Sequence, residues 1–295
     1  MAHTHSTAPT SFLFVALLIL TALIYLCGWI RVRRLGPETI AYWRASSFLA
    51  GLFLVGMAVA SPIAVLDHEL LTAHMVQHLL LMTLAPPFLL LGEPLFTLSY
   101  GLPQTRMKPI AVAVFRLARV RRVGKVLGQP VFCWIAATAT LVAWHIPALF
   151  TVGMQSEVWH VVEHVSFFAA GLLFWWPVIR PWPIAEAWPR WSTILYLFLA
   201  AVPCDVLSGF LVFCDRVVYT VYLATPPRFG ISALEDQQRA AALMWTCVTL
   251  IYLVAAAVVA VRLLSVRSSE EQEFLQPETP ATMSAGTGPQ SVEAI

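Results

Sequence analysis

The chain has 295 residues, of which 59% are hydrophobic and only 12% charged, with a formal net charge of +2. A soluble domain carries roughly 25% charged residues, so this composition, with a mean hydropathy of +0.76, excludes an ordinary globular protein. It identifies an integral membrane protein, in which the positions of Lys and Arg carry more information than their sum.

Residues 1–10 form a polar tail, and seven apolar segments follow at roughly 11–30, 45–62, 71–91, 131–151, 158–179, 193–213 and 239–265. Each is near the ~20 residues that a helix needs to cross a bilayer. Arg31, Arg33 and Arg34 follow the first segment instead of preceding it, so it reads as a retained span and not as a cleaved signal peptide. The third segment opens with His74 and His78, is interrupted by Pro86-Pro87 and ends at Gly92-Glu93-Pro94. Two prolines inside a helix predict a kink there. The 92–130 loop has no convincing span. In it Arg116, Arg119, Arg122 and Lys125 recur every three residues beside Leu117, Val120 and Val123, the pattern of an interfacial amphipathic helix on an anionic leaflet. From Ser268 onward the chain is polar and rich in Glu, Pro, Ser and Gly, which reads as a disordered tail. The expected architecture is therefore all-α and polytopic: a tail at 1–10, a seven-helix membrane domain at 11–267 and a tail at 268–295.

Orientation follows from the basic residues. With the N-terminus outside, fifteen of the 18 Lys and Arg residues fall on the cytoplasmic side, and only Arg216, Arg228 and Arg239 fall outside. That bias predicts N-out, C-in. Trp29, Trp43, Trp134, Trp175, Trp176, Trp182, Trp188 and Trp191 then lie at or beyond the inner ends, where interfacial anchors belong.

On this topology no histidine lies in an inner half or a cytoplasmic loop. His74 and His78 occupy the first two turns of the third segment, His160 and His164 the start of the fifth, and His145 the outer part of the fourth. A spacing of four places each pair on one helical face. Asp205 lies inside the apolar sixth segment and Asp236 at the outer mouth of the seventh. Ionisable groups at membrane depth mark function or pairing, and imidazole with nearby carboxylate is a transition-metal environment. His74, His78, His145, His160 and His164 are thus candidate ligands, with Asp205 and Asp236 as candidate supports that orient an imidazole. His68, flanked by Asp67 and Glu69, reads as a solvated loop residue, and Glu163 as a carboxylate that snorkels to water. Met75, Met154, Met244, Cys204 and Cys247 supply soft atoms at the same level; thioether and thiolate favour Cu(I). The five cysteines form no C-x-x-C, against a thiolate zinc site.

No H-E-x-x-H, Walker A, G-x-G-x-x-G or G-x-S-x-G occurs, so ATP coupling within this chain and the common hydrolase signatures are not expected. Nothing points to nucleic-acid binding. The histidine layer alone leaves three readings: a copper carrier, a seven-helix zinc hydrolase of membrane lipids with an activated water, or a b-haem electron carrier with two axial histidines.

His74-Met75-Val76-Gln77-His78-Leu79-Leu80 leading to Ala85-Pro86-Pro87 resembles the cytochrome c oxidase assembly factors of the caa3/CtaG type. So do Trp144-His145, Trp159-His160-Val161-Val162-Glu163-His164 and Phe174-Trp175-Trp176-Pro177. Asp205, Ser208-Gly209, Asp236-Gln237-Gln238 and Met244-Trp245 extend the likeness over roughly 45–260. The resemblance implies a multi-pass protein of the bacterial plasma (inner) membrane, without enzymatic activity, needed to mature an aa3/caa3-type terminal oxidase. It further implies copper as cargo, while the histidine layer itself leaves zinc as the alternative metal. The implied partners are oxidase subunits, membrane lipids and a periplasmic copper chaperone.

Overall fold

A computed structural model describes residues 8–36, 39–102, 128–179, 189, 191–224 and 226–275. Its elements are helical throughout, with no strand among the described residues. In chain order they are α1 (Ala8–Leu35), α2 (Tyr42–Ala60), α3 (Ile63–Leu66) and α4 (Leu71–His78). A π-helical turn (Leu79–Leu84) leads to α5 (Ala85–Leu91) and α6 (Pro94–Gly101). Then come α7 (Pro130–His145), α8 (Pro147–Gln155), α9 (Glu157–Ile179), α10 (Ser192–Phe213) and α11 (Ala233–Leu275). Six helical stretches are long and apolar enough to span, and α7 with α8 makes a seventh only as a pair bent by 76°.

That bend corrects the continuous fourth span expected at 131–151. Pro147 has no N–H to extend the helix, and it forces the residue before it out of the helical region. Ile146 is accordingly extended, with φ −68° and ψ 123°, so α7 ends on His145 and α8 starts anew.

The prolines of the third span act differently. Pro86 and Pro87 withhold N–H groups from the carbonyls of Met82 and Thr83. The chain absorbs this by widening into the π turn just before α5, and the helix then continues. The Met82 carbonyl rests against α9 at Gly171, where an added Cβ would lie 2.5 Å from that oxygen. Gly171→Ala must push α9 off the π turn. The expected cost is about 1–3 kcal/mol, read as a lower Tm in detergent.

Two apolar clusters hold the bundle. Phe174 of α9 stacks on Tyr196 of α10 and Tyr252 of α11, each at 5.1 Å between ring centroids. Tyr25 of α1 stacks on Phe48 of α2 at 3.9 Å, and its hydroxyl donates to the Gly92 carbonyl at 2.7 Å. Phe53, Val206, Phe210 and Leu250 are exposed on outer faces, as lipid contact requires. The end of the bundle formed by the start of α2 and the α5–α6 turn carries the Arg44–Glu93 ion pair, and Arg33 lies over the ring of Tyr42 at 3.9 Å. The histidine-bearing starts of α4 and α9 and the end of α7 lie at the opposite end. α11 runs on to Leu275, past the point where the sequence predicts a tail. The expected amphipathic stretch 116–125 and residues 276–295 lie outside the described residues.

Candidate metal centre

α4 and α9 each present a histidine pair one helical turn apart, and the two helices face one another. Ring centroids are 4.2 Å apart for His74 and His78, and 4.3 Å for His160 and His164. Across the interface His74 lies 5.7 Å from His160, and His78 lies 5.9 Å from His164. His145 approaches from the end of α7, 6.4 Å from His78. The five candidate histidines therefore converge in one layer, although His145 stands at its edge.

The carboxylates in that layer are Glu163 and Asp67, not the two that the sequence suggested. Glu163 Oε1 lies 3.3 Å from Nε2 of His74 and 3.3 Å from Nε2 of His78. Asp67 Oδ2 lies 3.4 Å from Nε2 of His160. Two donor groups result, His74-His78-Glu163 and Asp67-His160-His164, each with ligand atoms within 4.8 Å of one another. Each takes its imidazoles from one helix and its acid from another element, and Glu163 sits on the helix that supplies the other group's histidines.

The burial is nearly complete. Relative exposure is 0% for His74 and Glu163 and 1% for Asp67. Buried ionised carboxylates need compensation, and the ion-pair partners of both acids are imidazoles. Burial pushes the Asp67 carboxyl, which lies outside the spans, above its usual range, with His68 and His74 opposing the rise. Both ring nitrogens of His74 and His78, Nε2 of His160 and His164, both oxygens of Glu163 and Oδ1 of Asp67 are buried without a hydrogen-bond partner. So many orphaned polar atoms in one layer would be costly in a membrane interior, and they fit a cation. Tetrahedral bonds of about 2.0–2.1 Å set ligand atoms roughly 3.3–3.4 Å apart, the separation seen here between imidazole nitrogen and carboxylate oxygen.

The surroundings fix these side chains. Phe150 of α8 lies edge-on to His74 at 5.1 Å, and Phe167 stacks on His78 at 4.1 Å. Gly153 of α8 leaves space for Glu163: a Cβ there would lie 2.8 Å from Oε2. Between the two α4 histidines, Gln77 is buried, donates to the Ala58 carbonyl at 2.8 Å and also bears on the Asp67 carboxylate. The segment between α10 and α11 straps the layer. Tyr222 donates to the Asp67 carbonyl at 2.5 Å, and Tyr219 to the His145 carbonyl at 3.1 Å. Burial pushes both phenols up, so they stay neutral donors. Gln237 secures the strap by accepting from Val218 N–H at 2.7 Å and donating to the Arg216 carbonyl at 3.1 Å. The Met154 sulfur accepts from Tyr222 at 3.7 Å, which gives that residue a structural partner. His68, its side chain 53% exposed, lies at the solvent-facing margin of the layer, beside Asp67 and with its ring 5.0 Å from that of His160.

Neither Asp205 nor Asp236 has an imidazole among its hydrogen-bond partners. Cys204 is the inward, buried residue at that point of α10, so its neighbour Asp205 projects to another side, where its Oδ1 accepts from Thr249 of α11 at 3.1 Å. Asp205→Ala is expected to change stability by less than about 0.5 kcal/mol and to leave metal titration unaltered. Asp236, in the first turn of α11, caps α4 from outside: it accepts from Leu71 N–H at 2.7 Å, Thr72 N–H at 3.2 Å and the Thr72 hydroxyl at 2.6 Å. Its negative charge suits the helix N-terminus, and it serves the histidines by placing the helix that carries them.

The family described as cytochrome c oxidase caa3 assembly factor (Caa3_CtaG) matches residues 23–265. The chain belongs to this family. The match takes in every residue of the histidine layer and starts inside α1, so it reaches further than the 45–260 over which the sequence motifs show the likeness. No curated protein and no solved structure matches the chain.

Proposed function

We propose that this assembly factor binds copper in the histidine layer and delivers it to an aa3/caa3-type cytochrome c oxidase. The observation that carries this reading is the pair of donor groups, each of two histidines and one carboxylate, in which most of the buried nitrogens and oxygens face only one another and have no hydrogen-bond partner. His74, His78 and Glu163 would hold one ion's position and Asp67, His160 and His164 the other. In the N-out orientation the layer faces the extracytoplasmic side of a bacterial plasma membrane, where a periplasmic chaperone could load it and an oxidase subunit could unload it. The role is that of a carrier: copper is cargo, and ligand exchange releases it. Membrane lipids surround the body, and no nucleic acid is involved.

The donor chemistry alone also suits zinc, so the hydrolase reading is separated by the metal found and by lipid amide turnover. A b-haem is disfavoured because the imidazoles contact one another directly, with centroids 4.2–6.4 Å apart. In cells, His78→Ala with His164→Ala is expected to abolish oxidase maturation while the protein still accumulates in the membrane. Intact oxidase with its full copper content in that strain would refute the assignment.

A further inference from the structure

Beneath the histidine layer lies a cavity of about 40 Å³. It is lined by Met75, Met82, Cys204, Met244, His78 and His145 among apolar and aromatic side chains. We propose that this cavity is a second metal site, specific for Cu(I), formed by the His145 imidazole and the sulfur atoms of these methionines and Cys204. The proposal rests on the reading of the histidine layer as a copper site, and it adds a site of different chemistry.

His145 is the decisive residue. Its Nδ1 lies 2.7 Å from the Leu141 carbonyl. A carbonyl only accepts, so Nδ1 carries the proton and Nε2 keeps its lone pair. That nitrogen is buried and has no partner, in a residue that is 5% exposed and lines the cavity. A ring held through one nitrogen by a backbone carbonyl, with the other left free, is the arrangement of a metal-binding imidazole. The α7–α8 break places it there, because the helix ends on His145.

Sulfur is concentrated at the same place. The chain has only 8 Met and 5 Cys, and four of them line this one cavity. Met75, Cys204 and Met244 are 2–4% exposed, on three different helices. Soft thioether and thiolate donors suit Cu(I) better than Cu(II). Charge argues the same way: the lining contains no Asp, Glu, Lys or Arg, so a divalent ion would be buried uncompensated, whereas each group in the layer above brings a carboxylate. His78 belongs to both environments. Copper held as Cu(I) throughout can therefore move between the two by exchanging partners around His78, with no change of oxidation state.

The test uses the full-length protein in detergent, loaded anaerobically with Cu(I) and separately with Cu(II). X-ray absorption at the copper edge is expected to show sulfur scatterers for Cu(I) and only nitrogen and oxygen for Cu(II). Met82→Leu with Met244→Leu keeps side-chain volume. Adding Cys204→Ser to that pair is expected to weaken Cu(I) binding at least tenfold in competition with a Cu(I) chelator and to leave the Cu(II) resonance signal unchanged. Cu(I) bound through nitrogen and oxygen alone, or unaltered by the three substitutions, would overturn the second site and leave the upper one standing. Failure to bind copper in either state would remove both.

Discussion

Glu163→Gln is expected to lower copper affinity on the order of 100-fold or more, the largest effect of any single conservative change in the layer. Glutamine keeps the volume and one carbonyl oxygen, so the packing against Gly153 and the α9 backbone survives. It removes the negative charge that faces Nε2 of both His74 and His78 at 3.3 Å. Even outlying partners of metal ligands cost 10–100-fold when mutated, and Glu163 stands within ligand distance. Titration followed by the Cu(II) resonance signal checks this, with thermal unfolding as a control. An affinity within threefold of the parent protein would mean that Glu163 is only a hydrogen-bonding bridge between helices.

Asp236→Ala is expected to act on stability first. Its carboxylate satisfies the Leu71 and Thr72 N–H groups at the start of α4, and no side chain of α4's own N-cap residue does so. Loss of a cap costs about 1–2 kcal/mol, and the orphaned buried donor adds about 1–3 kcal/mol. The expected sum is about 2–5 kcal/mol, a Tm drop of roughly 4–20 °C. Asp236→Asn keeps one carbonyl acceptor and is expected to fall between. Below its Tm the Asn variant should hold copper as tightly as the parent protein. If it lost copper without losing stability, Asp236 would be a ligand and not a cap.

Much of this architecture could be read from residue patterns, because the bilayer imposes a length and a polarity on each span. The convergence of the histidines was legible as two i,i+4 pairs and a lone His145 on one side of the topology. The identity of the acids was not. Asp205 drew attention by lying inside an apolar run, but an adjacent residue on a helix points about 100° away, and Cys204 holds the inward position. Glu163 carried a usable signal: it follows His160 by three residues and precedes Phe167 by four, so it shares their face. Asp67 carried none, because it sits after the short α3 turn, where no periodicity fixes direction. The strap that brings Tyr219 and Tyr222 onto the layer, with 155 positions between Tyr222 and Asp67, is a tertiary contact that local pattern does not encode. The break after His145 was written in Pro147, whose effect on Ile146 outweighs the apolar run around it.

The most direct test of the central claim is elemental analysis of the protein purified from copper-replete cells, beside the double variant Asp67→Asn with Glu163→Gln. Two copper-binding groups, each of two histidines and one carboxylate, predict copper in the parent protein and its loss from the correctly folded variant. Absence of copper from the parent, or equal copper in both, would contradict the account.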